Sequence, residues 1–154
     1  MLTVKDLLSR KGNATFSIHP NNTIYQALQM MAIHAVGALL VIENKQLLGI
    51  FSERDYARKL VLKGKNEHNT LVGDVMVKHL TSVTPEDKVE DCMKFMTNQH
   101  IRHLPVLNND KLIGIISIGD VVKGMIDEQK TTINDLERYI AGGYLEQDTL
   151  QSRV

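Results

Sequence analysis

Two aspartates and two serines hold the part of this sequence that could do chemistry. Ser52 and Asp55 close the heptapeptide Gly49-Ile50-Phe51-Ser52-Glu53-Arg54-Asp55, and Ser117 and Asp120 close Gly114-Ile115-Ile116-Ser117-Ile118-Gly119-Asp120. In each, a serine follows an apolar run of strand length and an aspartate comes three residues later, where a helix should begin. A carboxylate in the first turn of a helix can accept hydrogen bonds from both hydroxyls of a ribose. The free N–H groups and the positive dipole end of the same turn favour a phosphate. Gly49 and Gly114 would let the backbone come close to such a ligand. A Ser and an Asp so placed are also an ordinary helix cap, and for one copy alone the two readings weigh equally. The recurrence favours binding.

The heptapeptides belong to a longer internal repeat with a constant offset of 65 residues (49 to 114, 55 to 120). Ser17/Ser82, Pro20/Pro85, Met31/Met96, Leu39/Leu104, Val41/Val106, Leu47/Leu112 and Ile50/Ile115 are identical pairs, and Ile18/Val83 and Ile24/Val89 are conservative ones. A unit this long that occurs twice is read as two copies of a small α/β module packed together, each marginal alone.

The elements that must position the serines and aspartates follow from periodicity. Residues 4–8 and 74–77 are short lead-ins. Residues 16–19 form a brief strand, and Asn22 or Thr23 can cap an amphipathic helix over 23–34 with Ile24, Ala27, Leu28 and Met31 inward. Gly37 ends that helix region. Residues 38–42 and 47–51 form two strands around a turn at 43–46, and a second helix runs over 52–63. The polar stretch 63–70 links the copies. The second copy repeats the order strand, helix, strand, strand, helix: Val83 marks the first strand, Val89, Cys92, Met93 and Met96 face inward from the helix, and strands at 104–107 and 112–116 flank a turn. A final helix carries Ile133, Leu136 and Ile140, with Glu137 and Arg138 outward, and stops at Gly142-Gly143. The divisions are therefore 1–66, 67–126 and a C-terminal helix and tail over 127–154.

Composition narrows the function further. Eighteen Lys and Arg balance eighteen Asp and Glu, so the overall field points to neither nucleic acid nor a membrane surface, and any anion must be caught locally. No apolar run approaches the roughly 20 residues of a membrane span, and residues 1–6 lack a signal or transit pattern, so a cytoplasmic protein is expected. Cys92 stands alone and reads as a small buried hydrophobe. The six histidines show no ligand spacing and no metal is expected. A phosphate-binding Gly-Lys-Ser/Thr loop and a catalytic triad order are both missing, so catalysis is not predicted.

Duplicated Gly-hydrophobic-x-Ser-x-x-Asp motifs and the Arg102-His103-Leu104-Pro105-Val106 stretch resemble a tandem pair of CBS domains, a Bateman module, over roughly residues 1–126. The stretches 52–59 and 140–144 are similar to a stand-alone branch of that family. The resemblance implies two CBS repeats in a pseudo-two-fold arrangement, a disc-like homodimer, and an adenine nucleotide such as AMP, ADP, ATP or NAD(H), or S-adenosylmethionine, in clefts between the repeats. It implies a ligand-binding set of Ile18, Ser52, Arg54, Asp55, Val83, Ile101, Arg102, His103, Pro105, Ser117, Gly119 and Asp120. The cationic pair Arg102-His103 stands where the first copy has Gly37-Ala38, and the resemblance gives it a phosphate in a second cleft beside Ser117. Conversely, Arg54 replaces Gly119 and could serve the first cleft. Since a free histidine titrates near pH 6.5, phosphate binding at His103 should strengthen toward pH 6. The expected function is a non-enzymatic sensor acting on an unidentified partner protein. A ligand-free interaction scaffold is the alternative, with a nucleotide-using enzyme built on His103 a third reading that lacks an orienting partner.

Overall fold

The computed structural model describes residues 1–151, with side chains through 142. Thr23 opens the first repeat's long helix: its hydroxyl accepts from the Gln26 N–H at 3.2 Å while the Gln26 side chain accepts from the Thr23 N–H at 2.9 Å, a reciprocal capping box. This helix, α2 (Ile24–His34), buries Ile24, Ala27 and Met31. It ends two residues before Gly37, at Ala35, which takes the left-handed conformation (φ 52°) without being glycine. Its counterpart His100 does the same at φ 55°.

Three strands complete the first sheet, in the order β1 (Ser17–Ile18), β2 (Ala38–Glu43), β3 (Gln46–Ser52), with β1 parallel and β3 antiparallel to β2. Asn44 and Lys45 both have positive φ, which gives the tight turn whose twist matches the hairpin. Asn109 and Asp110 do the same between β4 (His103–Asn108) and β5 (Lys111–Ser117).

The second sheet has two strands, not three. Val83 makes only a single parallel bridge to Val106. The cause is Pro105. Its counterpart Leu40 donates its N–H to the Phe16 carbonyl at 3.1 Å, and a proline has no N–H to donate.

Two helices depart from expectation. The region 52–63 splits into α3 (Glu53–Lys59) and a 3₁₀ turn over Val61–Lys63, with Leu60 buried between them. The last helix, α6 (Ile118–Gln151), is continuous over 34 residues and does not stop at Gly142-Gly143. A helix-interior glycine costs about 1 kcal/mol but ends a helix only by turning left-handed, and Gly142 stays outside that region.

The lead-in helices are exchanged between the repeats. Helix α1 (Val4–Lys11), with Leu2 just before it, puts Leu2, Val4, Leu7 and Leu8 into the second repeat's core, beside Val89, Met96 and Val121 of α5 (Val89–Gln99) and α6. The one-turn α4 (Val72–Val75) puts Val72 and Val75 into the first repeat's core. The docking bonds match: the Val4 N–H donates to the Asp87 carbonyl and the Val72 N–H to the Asn22 carbonyl, both at 2.9 Å. Each core is thus finished by chain that precedes the other repeat. A third apolar cluster joins the sheets through Leu40, Ile42 and Ile50 on one side and Leu112 and Ile115 on the other.

Candidate functional site

Ser52 ends β3 and is the N-cap of α3. Its hydroxyl accepts from the Asp55 N–H at 3.3 Å, while its own N–H and hydroxyl both donate to Asp55 Oδ2 at 3.0 Å. Ser117 and Asp120 repeat this: the Ser117 N–H donates to Asp120 Oδ2 at 2.8 Å and the Asp120 N–H to Ser117 Oγ at 3.1 Å. Capping at these residues is a fact of the structure. One oxygen of each carboxylate is spent on the cap, which fixes the orientation of the other.

A cleft of about 740 Å³ opens against the start of α3. The first repeat contributes Gly37, Ser52, Arg54, Asp55, Arg58 and Lys59, the segment after α4 contributes Val77 and His79, and the second repeat contributes Phe95, His100, Ile101, Arg102 and His103. Four permanent cations (Arg54, Arg58, Lys59, Arg102) face two carboxylates (Glu53, Asp55). Arg54 spans the repeats by donating from Nη1 to the His100 carbonyl at 2.9 Å. Lys59 donates to the Val75 carbonyl at 2.8 Å and lies 3.4 Å from Asp55 Oδ1.

Six of the residues expected in a site share this cleft: Ser52, Arg54, Asp55, Ile101, Arg102 and His103. Arg102 and His103 were expected beside Ser117, and His103 does pair with Ser117 across the β4–β5 hairpin while the Arg102 carbonyl accepts from the Ile118 N–H; both residues also line the cleft at the start of α3, where Arg54 bonds the His100 carbonyl. Ser117, Gly119 and Asp120 stand outside the cleft lining, and Ile18, Val83 and Pro105 are buried core residues. Arg58, Lys59 and His79 line the cleft and were not in the expected set. Lys59 was within reach, since a lysine four residues after a first-turn aspartate shares its helix face.

At the start of α6 the neighbour is different. Lys11, the last residue of α1, donates from Nζ to Asp120 Oδ2 at 2.6 Å and to the Ile115 carbonyl at 2.8 Å. Burial works against the Asp120 carboxylate, but the Lys11 ammonium and the Ser117 amide outweigh it and hold its pKa below the usual value. Burial pushes His103 down, Lys11 and Arg102 push it further, and Asp120 and Asp55 oppose them. His103 therefore gains its proton below the ordinary range. The expected strengthening of phosphate binding toward pH 6 is withdrawn for the free protein.

Cys92 is buried in the second core, and burial, then Asp87 and Asp91, raise its thiol to about 11. Among the described residues no group of three or more His, Cys, Asp and Glu could hold a metal ion. No helix there is long and apolar enough to cross a membrane.

Two α/β repeats with exchanged lead-ins and a cleft between them define a paired module. Residues 4–62 and 72–127 each match the CBS domain, and the chain belongs to the CBS-domain family as a tandem pair. It is 40% identical over 151 residues to the mitochondrial CBS domain-containing protein CBSX3 of Arabidopsis thaliana, covering 92% of this chain and 73% of that one. A solved protein with CBS domains from Burkholderia ambifaria is 42% identical and superposes with a TM-score of 0.80 over 82% of this chain and 96% of its own. The CBS domain pair of protein MJ0100, solved with 5′-methylthioadenosine and S-adenosyl-L-methionine, shares the fold at 19% identity and a TM-score of 0.72, over 83% of this chain and 98% of its own.

Proposed function

We propose that this chain is a non-enzymatic adenine-nucleotide sensor that binds AMP, ADP, ATP or NAD in the cleft at the start of α3 and acts on a partner protein in the cytoplasm. The observation that carries this reading is the cleft itself: a cap-fixed carboxylate at Asp55 for a ribose, and Arg54, Arg58 and Arg102 for phosphates. The excess of cations favours phosphorylated adenosine over adenosine, because charge-assisted hydrogen bonds are roughly twice as strong as neutral ones. The adenosine ligands of the MJ0100 pair support a nucleoside in such a cleft. Sensing then requires that the ligand bind one arrangement of the module more tightly than another.

A homodimer belongs to the same proposal. Val122, Ile126, Ile133, Leu136 and Ile140 lie on α6 at spacings of three, four and seven residues, and all five are exposed. Such a stripe suits a second α6.

Mass spectrometry of small molecules released by heat from the purified protein should find an adenine nucleotide, and calorimetry should rank AMP above adenosine. Equal affinity for the two would overturn the phosphate assignment, and no affinity for either would favour the scaffold reading. Light scattering that returned the 17.3 kDa monomer at micromolar concentration would count against the dimer.

A further inference from the structure

The two helix starts differ in what the exchanged lead-in does beside them. At α3, the lead-in unwinds after Val75, and Val77 exchanges two backbone hydrogen bonds with Ile50, at 3.1 and 2.9 Å. At α6, α1 stays helical through Lys11, and the carbonyl of Ile115, the counterpart of Ile50, accepts instead from the Lys11 ammonium. That ammonium also makes the 2.6 Å contact with Asp120, from a side chain about 30% exposed. The lead-ins are in register: Leu8 lies over Gly114 as Met76 lies over Gly49. In that register Lys11 corresponds to His79, which lines the open cleft.

The same position of the lead-in thus places Lys11 against Asp120 at one helix start and His79 in the cleft lining at the other. We propose that Lys11 closes the α6 helix start to ligand, so that the chain takes one adenylate, at the α3 cleft, and that Lys11 is the residue that fixes this stoichiometry. The inference rests on the adenylate reading above. Lys11 shares Asp120 Oδ2 with the Ser117 N–H, so a ribose that engages both carboxylate oxygens must displace a charged donor with a neutral hydroxyl, which also leaves the Ile115 carbonyl without its partner. The α6 site should bind at least tenfold more weakly than the α3 site for this reason alone. At Asp55 the nearest cation is held more loosely: Lys59, on the same helix, donates to the Val75 carbonyl at 2.8 Å and lies 3.4 Å from Asp55 Oδ1, against 2.6 Å for Lys11 and Asp120.

The test is calorimetry with AMP on the full chain. The unmutated protein should bind one AMP, weakened by about tenfold or more in Asp55→Ala. Lys11→Met should bind two, of which one survives Asp55→Ala and disappears with Asp120→Ala. Lys11→Gln removes the charge and keeps a donor for the Ile115 carbonyl, and it should also gain the second site if Lys11→Met folds poorly in a thermal melt. Two sites in the unmutated protein, or a folded Lys11→Gln that binds only what the unmutated protein binds, would overturn the inference. If the unmutated protein binds no AMP while Lys11→Gln binds one that Asp120→Ala removes, the adenylate reading of the α3 cleft fails and the role of Lys11 stands. If neither binds, both fall.

Discussion

The helix starts of α3 and α6 share a motif, a cap and a strand register, yet one faces a cleft and the other faces a lysine. Within each repeat the backbone behaves alike: the Glu53 N–H donates to the Gly37 carbonyl at 3.0 Å, and the Ile118 N–H to the Arg102 carbonyl at 2.8 Å. What differs comes from outside the repeat, from α1 and from the segment after α4. Local sequence sets the shape of such a site, and the neighbour delivered by the other end of the chain sets whether it is open.

The largest expected contrast is between the two aspartates. Asp55→Ala should weaken AMP binding by about 1.5–3 kcal/mol, the usual loss for hydrogen bonds to a charged acceptor. Asp120→Ala should leave AMP affinity unchanged and cost roughly 1 kcal/mol of stability, as the loss of a cap does. Calorimetry and urea unfolding on both variants separate the effects. Equal losses of affinity would break the comparison.

Next come the glycines before the two serines. A Cβ at Gly49 would meet the Val77 carbonyl oxygen at 2.7 Å and Met76 Sδ at 2.8 Å, whereas one at Gly114 would meet the end of the Leu8 side chain at 2.8 Å. Backbone cannot step aside as a leucine methyl can. Gly49→Ala should therefore destabilise by about 2 kcal/mol and Gly114→Ala by about 1 kcal/mol, read as shifts in the urea midpoint. A larger loss at Gly114 would mean that α1 is held more rigidly than the segment after α4.

The repeat, its strands and both capped aspartates were legible because they are local: period, turn residues and a constant offset settle them. The lost third strand was hidden in one residue, Pro105, whose effect depends on the bond that Leu40 makes in the other copy. The run of α6 through Gly142 was missed because a glycine pair reads the same whether it ends a helix or lies within one. The share of Arg102 and His103 in the α3 cleft goes with the Arg54 to His100 bond, which joins residues 46 positions apart, and Lys11 meets Asp120 across 109 positions; no spacing rule reaches that far.

The smallest effect tests whether the two sites communicate at all, through His103, which lies between them. Asp55 and Asp120 both draw its pKa up, while burial, Lys11 and Arg102 push it down and prevail. A histidine lowered in the folded state holds fewer protons there than in the unfolded chain. Its contribution to stability is present above the unfolded value near 6.5 and is lost as pH falls through 6.5 toward the folded value. Urea unfolding of the unmutated protein should therefore show a steeper loss of stability between pH 7 and pH 5.5 than His103→Asn does. Lys11→Met removes the second of the depressing causes, so the His103 imidazole should titrate at higher pH in that variant, read from its ring proton shift by NMR. Because Asp120 also loses its lysine partner there, the carboxylate pulls in the same direction. A His103 titration that does not move in Lys11→Met would show that the closing lysine acts on Asp120 alone, with no electrostatic reach into the open cleft.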